Sequence, residues 1–77
     1  MNITVNGTVH QTDETSICFE DGVRLGLWQE RDTVTYRGLG TGRQYNAGTL
    51  FKSRDGLGKF LTLEEGMIFN AVNTGSA

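Results

Sequence analysis

Residues Gly66 to Val72, G-M-I-F-N-A-V, constrain the fold more than any other stretch of the chain. Met67, Phe69 and Ala71 alternate with Ile68, Asn70 and Val72, so both faces of an extended segment carry apolar side chains. A short apolar run behind a glycine turn suits a central strand covered on both sides, although a single turn of buried helix has the same pattern. The residues that follow, Asn73, Thr74, Gly75, Ser76 and Ala77, are small and have little to bury. They read as a tail that frays into solvent. The expected organisation is a body over 1–72 and a flexible tail over 73–77.

A chain of 77 residues makes one small domain. Such a domain buries only about 60% of the surface its unfolded chain exposes, so it depends on good packing. Cys18 is the single cysteine, which rules out an intrachain disulfide and points to a reducing compartment, or at least to a fold that needs no staple. With His10 as the only histidine, no ordinary zinc set can be assembled. The net charge is −2 with acids and bases interspersed, and no basic stripe supports nucleic-acid binding. No apolar run approaches a membrane span, and Met1 to Gly7 lacks the basic-then-apolar order of a signal peptide. A soluble, cytoplasmic protein, monomeric when free, is expected. Eleven glycines without a proline predict tight turns between short elements.

In chain order, Asn2 to Asn6 alternates as a half-buried strand, and Asn6-Gly7 is a strong hairpin signal. Thr8 to Thr12 returns. A three-residue loop would pair Val5 with Val9 and keep one face apolar, and is the register expected over a two-residue loop. Asp13 to Ser16 reads as a polar connection. A short helix is expected over Phe19 to Leu27, with Phe19, Val23 and Leu27 on one face and Glu20 and Asp21 in the first turn. Cys18 or Ser16 caps it, and Trp28 closes its C-terminal end. Thr33 to Arg37 is a second clear strand. Gly38 to Gly48 reads as a loop, Thr49 to Lys52 as a short strand, and Phe60, Leu61 and Leu63 as packing residues before the Glu64-Glu65-Gly66 turn.

The order β-β-α-β-β-β, with first and last strands parallel in the middle of one sheet, is the β-grasp arrangement: an α+β fold with a mixed four- to five-stranded sheet crossed by one short helix. The segments I-T-V-N-G, F-E-D-G-V-R-L-G-L, T-V-T-Y-R-G and E-E-G-M-I-F-N-A-V-N-T-G-S-A resemble the small bacterial ubiquitin-like proteins encoded beside activating-enzyme and conjugating-enzyme homologues. The resemblance covers most of the chain and is strongest over the last dozen residues.

The resemblance implies a protein modifier that supplies no catalytic group and no cofactor. Its partners would be an adenylating activating enzyme, a conjugating enzyme, a processing peptidase and a target protein. Gly75, the only glycine in the tail, would be the acyl donor, after a peptidase cuts between Gly75 and Ser76; Asn73 and Thr74 would lead up to it. Thr74 stands where a Gly-Gly ending would have its first glycine, which weakens a sulfur-carrier reading and leaves Ala77 as an alternative working end. Gly75-Ser76-Ala77 also fits a cloning remnant. Tyr36, Arg37, Leu50, Phe51 and Ile68 are partner-surface candidates, about half of which must face the core.

Other constellations are weak. The Gly38-Leu-Gly-Thr-Gly-Arg43 stretch has neither the third glycine of a dinucleotide loop nor the Lys-Ser/Thr of a phosphate loop. Cys18 and His10 suggest a nucleophile and base only if a third, orienting group existed, and none is visible. The expected alternative to a modifier is a non-covalent interaction module; an enzyme is least expected.

Overall fold

The computed structural model describes residues 1–38, 47–52 and 60–73. The expected tail beyond Asn73 and most of the loop over 38–48 lie outside the described residues. Among the described residues seven strands and one helix follow in order: β1 (Asn2–Val5), β2 (Thr8–Gln11), β3 (Ser16–Ile17), α1 (Phe19–Arg24), β4 (Thr33–Arg37), β5 (Ala47–Leu50), β6 (Leu61–Thr62) and β7 (Ile68–Val72). Five strands form a mixed sheet in the order β2-β1-β7-β4-β5, with β1 and β7 parallel and every other neighbour pair antiparallel. The result is a small α+β fold in which first and last strands meet at the sheet centre.

The first hairpin corrects the expected register. Val5 pairs with Thr8 and Thr4 with Val9, across a two-residue loop. Asn6 and Gly7 both take positive φ, +49° and +83°. Two left-handed residues make the tight turn whose twist matches that of paired strands. Turn geometry therefore sets the register, and Val9 is left 64% exposed on the opposite face from Val5.

The helix is shorter than expected. Gly26, expected inside it, adopts φ +78° and ends it. The N–H of Leu27 donates to Gly22 C=O at 2.8 Å and that of Gly26 to Val23 C=O at 3.1 Å, the paired bonds of a glycine-terminated helix. Leu27 then folds back and packs partly buried on the core. At the other end Cys18 is the N-cap, with the Asp21 carboxylate accepting from the Cys18 N–H at 3.3 Å.

Asp21 also accepts from the Arg24 guanidinium at 3.1 Å, and that contact, ahead of the Cys18 bonds, holds its carboxyl below the usual carboxylate range. A depressed folded pKa stabilises above the unfolded value and stops doing so as pH falls through the folded one. Asp21→Asn is therefore expected to flatten the acid side of the stability–pH curve, below the ordinary carboxylate pKa, in urea titrations run from neutral to acidic pH. Burial is the main cause that pushes the Cys18 thiol up, which keeps it protonated at neutral pH.

Trp28 does not close the end of α1 but lies across it. Its ring covers Gly22 so closely that a Cβ there would clash with the indole carbons. Its Nε1–H donates to the Phe19 C=O at 2.8 Å in a buried site. Gly22 thus answers a packing demand that outweighs its poor helix propensity. Gly22→Ala would gain up to about 1 kcal/mol from propensity, yet is expected to destabilise by about 1–3 kcal/mol because the ring must move. A urea-melt midpoint lower than wild type is the measured outcome; a higher one contradicts the packing.

Three further expectations are corrected. Strand β5 begins at Ala47 and ends at Leu50, not Thr49 to Lys52, because its partner β4 sets its limits through the pairs Arg37–Ala47 and Val34–Leu50. Gly48 is tolerated in it because Tyr36 fills the space: a Cβ would lie 2.9 Å from the Tyr36 hydroxyl. Ser16–Ile17 and Leu61–Thr62, read as connection and packing residues, pair as a separate antiparallel ribbon that leaves Phe60 64% exposed. Finally, β7 is covered on one face only, with Asn70 and Val72 exposed on the other.

The core is Ile3, Val5, Ile17, Phe19, Trp28, Val34, Leu50, Leu63, Met67 and Phe69. Phe19, Trp28, Phe69 and Tyr36 run from helix to sheet with successive ring centroids 6.2, 5.6 and 6.4 Å apart. Tilted rings at such spacings add to the area they bury.

Candidate functional site: the last strand and its exit

Strand β7 is anchored at its entry, middle and exit. At the entry, Gly66 takes φ +80°, its N–H donates to the Asn2 C=O at 2.7 Å, and the Glu65 carboxylate accepts from the Asn2 N–H at 2.9 Å. In the middle, Thr4 N–H donates to Met67 C=O at 2.9 Å and Asn6 N–H to Phe69 C=O at 3.0 Å. Met67 and Phe69 have no exposed surface. At the exit, the Asn6 carboxamide accepts from the Ala71 N–H at 2.8 Å and donates to the Ala71 C=O at 3.0 Å. On the other flank the last pair is Thr33 with Val72. The next residue, Asn73, is exposed.

The register sorts the residues singled out in the sequence. Tyr36 and Leu50 face the helix: Leu50 is buried and Tyr36 stacks beside Phe69, so they serve the core. Arg37 and Ile68 lie side by side on the opposite face, in a cross-strand row that runs Val9, Thr4, Ile68, Arg37, Ala47. Phe51, just past β5, is 75% exposed. Val9 and Val72 join this outer face, and sequence reasoning missed both. The Asn6-Gly7 turn was the signal for Val9, and the pairing of Val72 with Thr33 places the other. Arg37 is the one charged side chain among the described strand residues of that face. Gly75, Ser76 and Thr74 lie outside the described residues, as does Ala77.

A cavity of about 170 Å³ lies beside the helix, floored by Phe19 and Val23 and rimmed by Glu20, Arg24, Glu30 and Lys52. Two acids and two bases on one rim select no ligand charge. Among the described residues no group of three or more His, Cys, Asp and Glu is placed to hold a metal ion, and no helix is long and apolar enough to cross a membrane. No family model, curated protein or solved structure matches the chain.

Proposed function

We propose that the chain is a ubiquitin-like modifier on a β-grasp fold, acting through its C-terminal end. The supporting observation is the place of β7: parallel to β1 at the sheet centre, and followed at once by the exposed Asn73. A central strand cannot be pulled out without breaking two ladders, so whatever follows it is attached to a firm body. In this reading an activating enzyme joins the Gly75 carboxylate to the AMP of ATP, releasing pyrophosphate. A thiol of the activating or conjugating enzyme then displaces AMP, and a target amine or hydroxyl displaces the thiol. The chain contributes geometry, since a glycine at the reacting carbon keeps a side chain out of a narrow enzyme channel. The partners are those enzymes, a peptidase that removes Ser76 and Ala77, and a target, within the cytoplasm.

The outer face favours one alternative, a non-covalent interaction module. Val9, Ile68 and Val72 leave it partly apolar, and an exposed apolar patch marks docking sites. A sulfur carrier has less support, since Thr74 precedes Gly75.

The readings separate when the full chain and a form ending at Gly75 are each incubated with ATP and an adenylating activating enzyme of the bacterial ubiquitin-like systems the chain resembles. Mass spectrometry is expected to find an acyl adduct with the form ending at Gly75. An adduct only with the full chain moves the donor to Ala77, and none with either form leaves the interaction module.

A further inference from the structure

We infer that Asn6 is the positioning residue that carries the β1-flank grip on the last strand out to Ala71, beside the point where the transferable tail begins. Its purpose rests on the modifier reading; its geometry and its test do not.

Strand β1 runs parallel to β7 only as far as Val5, opposite Phe69. At Asn6-Gly7 the backbone turns away into the hairpin, so no further backbone rung can form between β1 and β7. The Asn6 side chain takes over. A carboxamide has one acceptor and a donor in the same plane as a peptide group, and it meets both polar groups of Ala71 at 2.8 and 3.0 Å. The grip of the β1 flank therefore reaches Ala71 instead of stopping at Phe69. Both bonds are exposed, so water would otherwise satisfy Ala71. They serve to hold the strand in place rather than to rescue a buried group.

Asparagine meets two demands at this position. Its φ of +49° is a conformation that few residues other than glycine, asparagine and aspartate adopt readily. Of these, aspartate retains the acceptor and loses the donor, and glycine retains the turn alone. Asn6→Gly therefore removes the latch while keeping the hairpin.

The consequence is reach. An extended residue spans at most ~3.6 Å. With the strand latched through Ala71, the run from Val72 to Gly75 can extend by no more than about 11 Å. Losing the β1-flank grip back to Phe69 leaves Asn70 to Val72 held by the β4 ladder alone, and wherever that ladder frays the tail gains about 7 Å more, on the same per-residue span. An enzyme that takes up a fixed length of tail would read this boundary.

Amide hydrogen exchange by NMR on the full chain tests the latch without any partner enzyme. The readout is the Ala71 exchange rate relative to that of Val34, so that a general loss of stability cancels. Asn6→Gly is expected to raise that ratio roughly tenfold, as the loss of two exposed hydrogen bonds implies, with Asn6→Asp in between. Carboxypeptidase Y trimming is expected to stop one or two residues earlier in the chain for Asn6→Gly than for wild type. An Ala71-to-Val34 ratio unchanged within twofold in Asn6→Gly overturns the inference. A raised ratio supports it even where ATP and the adenylating enzyme give no adduct, an outcome that would count against the modifier reading alone.

Discussion

Phe69→Ala is expected to destabilise the protein by about 3–5 kcal/mol, the usual range for deleting a buried aromatic ring. A domain of this length has in all only about 4–12 kcal/mol, at ~0.05–0.15 kcal/mol per residue. The ring has no exposed surface and lies between Trp28 and Tyr36, at the middle of the central strand. Its removal opens a cavity among the helix, β1, β4 and β7. Urea denaturation followed by circular dichroism is the check, with Phe69→Leu as the milder control. A loss under 1 kcal/mol in Phe69→Ala would mean that β7 is not the keystone of the sheet.

Trp28→Ala is expected to be as costly, again about 3–5 kcal/mol. Here the effect has three parts. The indole bridges Phe19 and Phe69, it donates to the Phe19 C=O, and it holds down a helix of six residues that cannot stand alone. Trp28→Phe separates these parts: it keeps a ring and loses the donor, at a cost of about 0.5–1.5 kcal/mol for the hydrogen bond. The coupling to Gly22 gives a sharper check. With the indole gone, the space above Gly22 is open, so Gly22→Ala in the Trp28→Ala background should stabilise by up to about 1 kcal/mol, the propensity difference alone. The same substitution thus changes sign with its background. Equal effects in both backgrounds would show that ring and glycine do not touch.

Much of the fold was legible because it rests on periodicity and turn chemistry. Thr33 to Arg37 was read with its observed limits, since β-branched residues and an aromatic fill an alternating pattern. The parallel pairing of first and last strands, expected from the apolar content of Gly66 to Val72, is observed, although only one face of β7 is covered. The misreadings have local causes. The hairpin register was inferred from the apolar match of Val5 with Val9, but two left-handed residues, Asn6 and Gly7, dictated a tighter loop. The helix was extended to Leu27 because Leu27 continues the stripe from Phe19 and Val23; Gly26 in the left-handed region ends the helix first. The ribbon of β3 and β6 joins residues too distant in sequence, and too short in pattern, to be foreseen.

The candidate site was less legible. Which of Tyr36, Arg37, Leu50, Phe51 and Ile68 face outward depends on registers that a list of residues does not contain. The bonds between Asn6 and Ala71 span 65 positions, and neither residue carries a local sign of the other. In sequence Asn6 reads only as a turn former, although the same side chain also carries the sheet past the point where its own backbone leaves.

The central claim is that the chain's carboxyl end becomes covalently joined to other proteins. An N-terminally tagged chain, recovered from its own cells under denaturing conditions and digested for mass spectrometry, tests it most directly. The account predicts peptides in which Gly75 is linked through its carboxyl to an amine or hydroxyl of a second protein, and their disappearance when Gly75 is replaced by a bulky residue. Recovery of the chain solely in unlinked form, when it is supplied either at full length or ending at Gly75, would contradict it.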